Sequence, residues 1–333
     1  MAPHPAHPWL VADIGATNAR FGWQPVPDAK IERILTLPCA GHASLEAAIR
    51  AYLGQLGAAT PEAVAIGIAT PVTGDLVRMT NRDWSFSIAD LKSNLGLRAL
   101  AVVNDFTALA LALPSLPEGD RMPVGGSTAV AGAPIALLGP GSGLGVSGLL
   151  PGERSGTWLP ISGEGGHVTL AAENDREAAV IGLLRRRHGH VSAERALSGP
   201  GLVDVHEALR QLEPSSSDRG PVREAADVLA RAATADAIAA ATIDLFCGWL
   251  GQVAGNLALT LGARGGVFIG GGIVPRLGAT FAASPFRERF ESKGRFRSYL
   301  AAIPVWVITA TESPALAGAA RALERQLSAN SAG

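Results

Sequence analysis

Cysteine is nearly absent: Cys39 and Cys247 are the two in 333 residues. A disulfide scaffold and a four-cysteine zinc site are therefore excluded, and the count suits a reducing cytosol. An excess of either charge is also missing. The 28 Lys and Arg against 29 Asp and Glu leave a net charge of −1, which offers no electrostatic footprint for nucleic acid or an anionic membrane. The uncharged stretch from Met122 to Gly152 is long enough to cross a bilayer, but Pro123, Pro134, Pro140 and Pro151 break it. Met1 to Pro8 alternates Pro, His and Ala, without the basic start and apolar core of a leader. What is present is apolar: 47% hydrophobic residues with 17% charged, the composition of a folded chain, at a length that suits two domains. These features together describe a cytoplasmic protein without a nucleic-acid or membrane partner.

A weak internal repeat organises the rest. Trp9 to Trp23 reads as strand, glycine turn, strand, and so does Pro134 to Leu150; aligned without gaps, Gly15 falls on Gly141 and Gly22 on Gly148. The pattern predicts one such unit per domain. Val64 to Ile68 and Leu100 to Val103 are short apolar runs followed by polar clusters, so they read as buried strands presenting loops at their C-terminal ends. Helices are expected over Ser44 to Leu56, Thr107 to Leu113, Asn174 to Gly189 and Thr234 to Leu261, and from Ser313-Pro314 to about Gln326. Further strands are expected at Val267 to Ile269 and Val305 to Ile308, with a polar, Ser-rich loop at Pro214 to Pro221. Alternation of strand and helix predicts an α/β architecture with a largely buried sheet.

Three glycine clusters follow apolar runs, at Gly15, at Gly139 to Gly145 and at Gly265 to Gly272. Any one is explained as a tight turn; three at strand ends point to backbone nests for a polyphosphate ligand. The GxxxxGK[ST] pattern is absent. A GxGxxG match at Gly143, Gly145 and Gly148 is followed by Pro151 and Gly152 rather than by a helix, so the dinucleotide fingerprint fails on context. Asp13, just before Gly15, Thr17 and Asn18, is either a turn-forming Asp or a carboxylate placed to hold Mg²⁺ beside the phosphates. Asn104-Asp105 caps a helix, and Asp105, ionised at neutral pH with an ordinary pKa of ~3.9, is also suited to general-base work. Glu164 and His167 flank a glycine pair, and Glu194 opens a short helix. As hydrogen-bonding side chains they suit a carbohydrate, while no second His or Cys accompanies His167 to make a zinc site. Arg185-Arg186-Arg187-His188 reads as a solvated helix C-terminus.

The segments Asp13-Ile14-Gly15-Ala16-Thr17-Asn18-Ala19-Arg20, Asn104-Asp105-Phe106-Thr107-Ala108, Gly163-Glu164-Gly165-Gly166-His167, His190-Val191-Ser192-Ala193-Glu194-Arg195 and Gly265 to Gly272 resemble the bacterial glucokinases, in order, from about Trp9 to about Leu327. The resemblance implies the two-domain actin-like, hexokinase-type (ribonuclease H-like) ATPase fold with an inter-domain cleft. Residues 1–114 plus 308–333 would form the small domain and 115–307 the large one. It further implies a homodimer that uses ATP and Mg²⁺ to phosphorylate glucose at its 6-hydroxyl. Asp105 would be the base, and Asn104, Glu164, His167 and Glu194 would bind the other hydroxyls. Asp13 (to Mg²⁺, through water), Gly15, Ala16, Thr17, Asn18, Gly141, Ser142 and Gly143 would face the phosphates, with Gly271 and Gly272 bordering the adenosine. Pro140 departs from the family pattern and removes one N–H from the second phosphate turn. The related repressor/open-reading-frame/kinase branch carries a cysteine-rich zinc motif that two cysteines do not supply, and its repressors carry a helix-turn-helix for which the twelve residues before Asp13 leave no room. A non-catalytic sugar and nucleotide sensor, a kinase of a related hexose and a nicotinamide dehydrogenase are the competing readings.

Overall fold

The computed structural model describes residues 7–57, 60–80, 82–154, 156–213 and 219–331. Residues 1–6 of the Pro/His stretch and 214–218 of the expected Ser-rich loop lie outside the described residues. The chain divides into two compact units. One comprises Met1–Glu118, Pro160–Ser162 and Ala310–Gly333, the other Gly119–Leu159 and Gly163–Thr309.

The first unit is built on β1 (Trp9–Ile14), β2 (Asn18–Gln24), β3 (Glu32–Pro38), β4 (Ala63–Ile68) and, beyond the small β5 (Leu76–Arg78) and β6 (Ser85–Ser87) pair, β7 (Ala99–Asn104). The sheet order is β3-β2-β1-β4-β7, with β1, β2 and β3 antiparallel and β4 and β7 parallel to β1. Side chains alternate across it. Leu10, Ala12 and Ile14 join a core with Phe21, Ile49 and Tyr52, whereas Trp9 and Val11 join another with Ala108, Leu316 and Leu323. Burial on both faces is why these strands read as nearly continuous apolar runs. The helix Leu45–Leu56 covers one face, started by the Ser44 hydroxyl accepting from the Ala47 N–H and stopped by Gly57 at φ 56°. The helix Pro314–Ser331 covers the other and packs on the helix Asp105–Ala112. Their closest approach is Gly318, where a Cβ would overlap the Ala108 carbonyl. Helix propensity alone would favour alanine there by about 1 kcal/mol; the close approach decides for glycine.

The second unit holds β8 (Arg121–Pro123), β9 (Ile135–Pro140), β10 (Leu144–Pro151), β12 (Val267–Ile269) and β13 (Val305–Ile308), together with the first two residues of β11 (Trp158–Ser162), whose last three count with the first unit; the sheet order is β11-β10-β9-β12-β13-β8. β9 and β10 are antiparallel, and β12 and β13 continue the sheet in parallel. The sequence repeat is thus a repeat of structure. Trp9–Ile14 falls on Ile135–Pro140 and Asn18 on Leu144, so the first hairpin strands match at both ends and the second begin at matching positions, followed in each sheet by two parallel strands on the same side.

Helix starts follow the capping chemistry. Asn174 accepts from the Glu177 N–H and opens Asp175–His188, and Gly189 ends it. The long helix begins at Ala237 rather than near Thr234, because Asp236 is the residue that caps it, accepting from the Ala239 N–H. This helix, Ala237–Leu261, has the length and hydropathy of a membrane span, yet most of it is packed in the unit's core with Phe246, Trp249 and Leu250 fully buried. Both cysteines are free and buried, and burial pushes the Cys247 thiol up to about 12, where it stays protonated.

Candidate active site

In the first unit, the turn between β1 and β2 carries the Gly15 to Asn18 segment, closed by the Gly15 N–H donating to the Asn18 carbonyl at 2.9 Å. Thr17 and Asn18 are exposed. Asp13, at the end of β1, accepts from the Ser313 hydroxyl at 2.7 Å and lies 4.0 Å from the Arg20 guanidinium. Burial pushes its pKa up, against the opposing pull of Ser313 and Arg20. Sequence reasoning saw Ser313 only as a helix cap. Its carbonyl does accept from the Leu316 N–H, but its hydroxyl is given to Asp13, 300 residues away in the chain. Arg82 was also missed: it donates to the Ala16 carbonyl at 3.3 Å, lies over the Trp84 ring, and lines a cavity of about 580 Å³ with His42, Thr80 and Asp83.

Asn104 and Asp105 stand where β7 passes directly into a helix. The Asn104 carboxamide oxygen accepts from the Phe106 and Thr107 N–H groups at 2.9 and 3.3 Å, and its amide donates to the Thr70 carbonyl at 3.4 Å. One Asp105 oxygen accepts from the Phe106 N–H at 2.9 Å. Cap and carboxylate are therefore adjacent residues, and Asn104 supplies the cap that leaves the Asp105 helix intact when its charge is altered. The helix starts two residues before the expected Thr107, because the strand needs no separate loop.

In the second unit, three expected site segments converge on one backbone position. The Gly141 to Gly143 turn joins β9 to β10, closed by the Gly141 N–H donating to the Gly143 carbonyl at 2.8 Å, with Ser142 exposed. The next residue, Leu144, gives its N–H to the Glu194 carboxylate at 2.8 Å. On its other side, the Glu164 to His167 turn is pressed so closely that a Cβ on Gly166 would overlap the Leu144 carbonyl. Glu164 and His167 themselves are exposed, and Glu194 is half-buried on the three-residue turn Ala193–Arg195. Pro140 stands opposite Leu144 in the ladder.

Gly271, at φ 78°, is required by the protein itself, since a Cβ would overlap the Pro140 carbonyl, whereas Gly272 faces open space. A cavity of about 490 Å³ is lined by Gly199, Pro200, Val203, Ala225, Arg223 and Arg276, among others. The Gly199 N–H donates to the Gly141 carbonyl at 2.8 Å, so one wall of this cavity is hydrogen-bonded to the glycine turn.

The architecture is that of an α/β sugar kinase. The crystal structure of a ROK family glucokinase from Streptomyces griseus in complex with glucose and AMPPNP superimposes with a TM-score of 0.65 at 19% identity, covering 96% of this chain and 99% of that one, a likeness that shows the fold. The sequence family model for glucokinase matches residues 10–326. The glucokinase of Aromatoleum aromaticum is 55% identical over 325 residues, 96% of each chain. The crystal structure of a glucokinase from an Antarctic psychrotroph is 37% identical with a TM-score of 0.84, covering 96% of this chain and 99% of that one. The chain belongs to the glucokinase family.

Proposed function

We propose that this protein transfers the γ-phosphoryl group of ATP to the 6-hydroxyl of D-glucose, giving glucose 6-phosphate and ADP, with Asp105 as the general base. The observation that carries the base assignment is the mount: a half-buried carboxylate at the first residue of a helix whose N-terminus is already capped by Asn104. Asp105 takes the proton as the sugar oxygen attacks phosphorus, while Asn104, Glu164, His167 and Glu194 hold the remaining hydroxyls. Phosphoryl transfer asks the protein mostly for positioning and charge stabilisation, so a base and backbone amides at two glycine turns suffice beside the metal. Gly15, Ala16, Thr17 and Asn18 form one of those turns; Gly141, Ser142 and Gly143 form the other. The 490 Å³ cavity walled by Pro200, Val203 and Ala225, with Arg223 and Arg276 at hand, is the seat we assign to the nucleoside; the family resemblance would add Gly271 and Gly272 beside the adenosine. The repeated sheet order supports the finer assignment to the actin-like, hexokinase-type fold. A cytoplasmic homodimer is the state the family resemblance implies.

Mg²⁺ fits the residues present. Among the described residues no group of three or more His, Cys, Asp or Glu is arranged to hold a metal. The positive observation is the donor itself: Asp13 puts one carboxylate at the end of β1 beside the Gly15 to Asn18 turn, and Mg²⁺ is bound through one or two carboxylates and substrate phosphates while keeping its waters. Asp13 would hold it, and when bound it neutralises charge on the phosphates. The role of Ser313 is to keep that carboxylate oriented. Ser313→Ala is expected to raise the Mg²⁺ concentration giving half-maximal rate by roughly 10-fold, since one hydrogen bond to a charged group is lost. An unchanged Mg²⁺ titration would show that Asp13 is held without it.

The direct test is glucose 6-phosphate formation from purified protein, glucose and MgATP. Robust product supports the reading. Product from mannose or another hexose but not glucose would move the acceptor, and glucose binding without ADP release would make the protein a sensor.

A further inference from the structure

We propose that Gly143 is a glycine for the sake of the sugar: the space a side chain would fill there holds the Glu194 carboxylate, so the second phosphate turn positions a group that binds the acceptor. The inference rests on the glucokinase reading and goes beyond it, because that reading treats Gly143 as a phosphate contact.

Four observations carry it. First, a Cβ on Gly143 would overlap one carboxylate oxygen of Glu194 and lie 3.2 Å from its carboxyl carbon, whereas a Cβ on Gly141, in the same turn, would meet nothing within 4 Å. Room for a ligand is therefore at Gly141, and the room at Gly143 is already taken. Second, that same Glu194 oxygen accepts the Leu144 N–H at 2.8 Å, so the carboxylate sits in the gap by a charge-assisted hydrogen bond. Third, the backbone around Glu194 is tied on both sides: the Ala193 N–H donates to the Val168 carbonyl at 2.8 Å, and the Gly199 N–H donates to the Gly141 carbonyl at 2.8 Å. With the backbone held at Ala193 and Gly199, the carboxylate end of the flexible Glu194 side chain is the part that moves to relieve a clash. Fourth, Gly143 is not among the glycines with positive φ, so alanine is allowed by its backbone and would act through the new methyl alone.

Gly143 is thus a positioning residue for glucose that acts through Glu194. The test is a double-mutant cycle of wild type, Gly143→Ala, Glu194→Ala and the double variant. It reads the KM for glucose, the KM for ATP, and glucose binding by calorimetry, with a thermal unfolding midpoint for each to certify folding. Gly143→Ala is expected to raise the glucose KM and Kd about 10-fold, the size of one charge-assisted hydrogen bond put out of place, while the ATP KM moves less than about twofold. In the Glu194→Ala background the added methyl has nothing to displace, and the glucose KM is expected to rise no further. Two results overturn the inference while leaving the kinase reading intact: a raised ATP KM with unchanged glucose KM, or a Gly143→Ala penalty on glucose that persists without Glu194. A wild type that phosphorylates no hexose overturns the kinase reading and this inference together. If Gly143→Ala alone is poorly folded, the double variant, in which the clash is absent, must recover the Glu194→Ala midpoint; failure to do so also overturns it.

Discussion

Asp105→Asn is expected to lower kcat by roughly 10²–10⁴-fold, the range for loss of a general base, with the glucose KM changed by only a few fold. In free energy that is about 3–5 kcal/mol of transition-state stabilisation. The substitution keeps an oxygen that accepts from the Phe106 N–H, and Asn104 still caps the helix by accepting from Phe106 and Thr107. The unfolding midpoint should therefore stay near that of the wild type. Asn104→Ala is the informative companion: it removes the cap, costs about 1 kcal/mol of stability, and strands the Thr70 carbonyl bond. Steady-state kinetics and thermal unfolding on the two proteins separate the roles. Near-normal turnover by Asp105→Asn would move the base elsewhere.

The largest expected loss of stability comes from a residue that is not among the proposed site residues. Glu177 is 1% exposed and gathers the donors of a buried hydrogen-bond network. Its two oxygens accept from the Arg289 guanidinium at 2.6 and 3.2 Å, from the Asn174 amide at 2.9 Å, from the Glu173 N–H at 2.8 Å and from the Trp249 indole at 3.2 Å. Glu177→Ala leaves a fully buried indole N–H and the Glu173 N–H without their acceptor and strips the mostly buried Arg289 guanidinium of two bonds, leaving it the partly exposed Glu173 carboxylate 3.0 Å from Nε, which together costs about 3–5 kcal/mol. For a unit of this size that is a fall of roughly 6–20 °C in unfolding temperature, measurable by calorimetry. The Arg176–Glu213 pair is the control. Its fork is closed at 2.6 and 2.7 Å, but both side chains are about two-fifths exposed, so Glu213→Ala should cost no more than ~1 kcal/mol.

The pH dependence of the Glu177 network has a definite sign. Burial raises the Glu177 pKa, but Arg289, the Glu173 amide and Trp249 outweigh it, so the folded value lies below that of an ordinary glutamate. Its stabilisation is therefore complete above ~4.3, the unfolded value, and is lost as pH falls through the lower folded one. Equal acid sensitivity of wild type and Glu177→Ala would contradict this.

Much of the molecule was legible in the residues. The hairpin repeat, the strands at Val267 to Ile269 and Val305 to Ile308, the helix from Ser44 to Leu56 and the cap Asn174 all follow from local patterns of small, apolar and capping residues. Such features need no distant partner to be recognised. Less visible were β3, β8 and β11 and the helices Gly199–Leu212 and Ala225–Ala232. The short edge strands carry weak alternation, and the helices adjoin glycine, proline and serine that read as loop.

By itself the sequence determined the α/β architecture, the duplication and the glucokinase family, because periodicity, turn chemistry and short motifs are properties of neighbours along the chain. Tertiary structure alone decided that the Ser313 hydroxyl serves Asp13, that Gly318 admits the Ala108 carbonyl, and that Glu194 occupies the space beside Gly143. Those are close contacts between atoms separated by up to 300 residues. They are set by how two packed elements meet, and no local pattern of residues encodes the distance at which they do so.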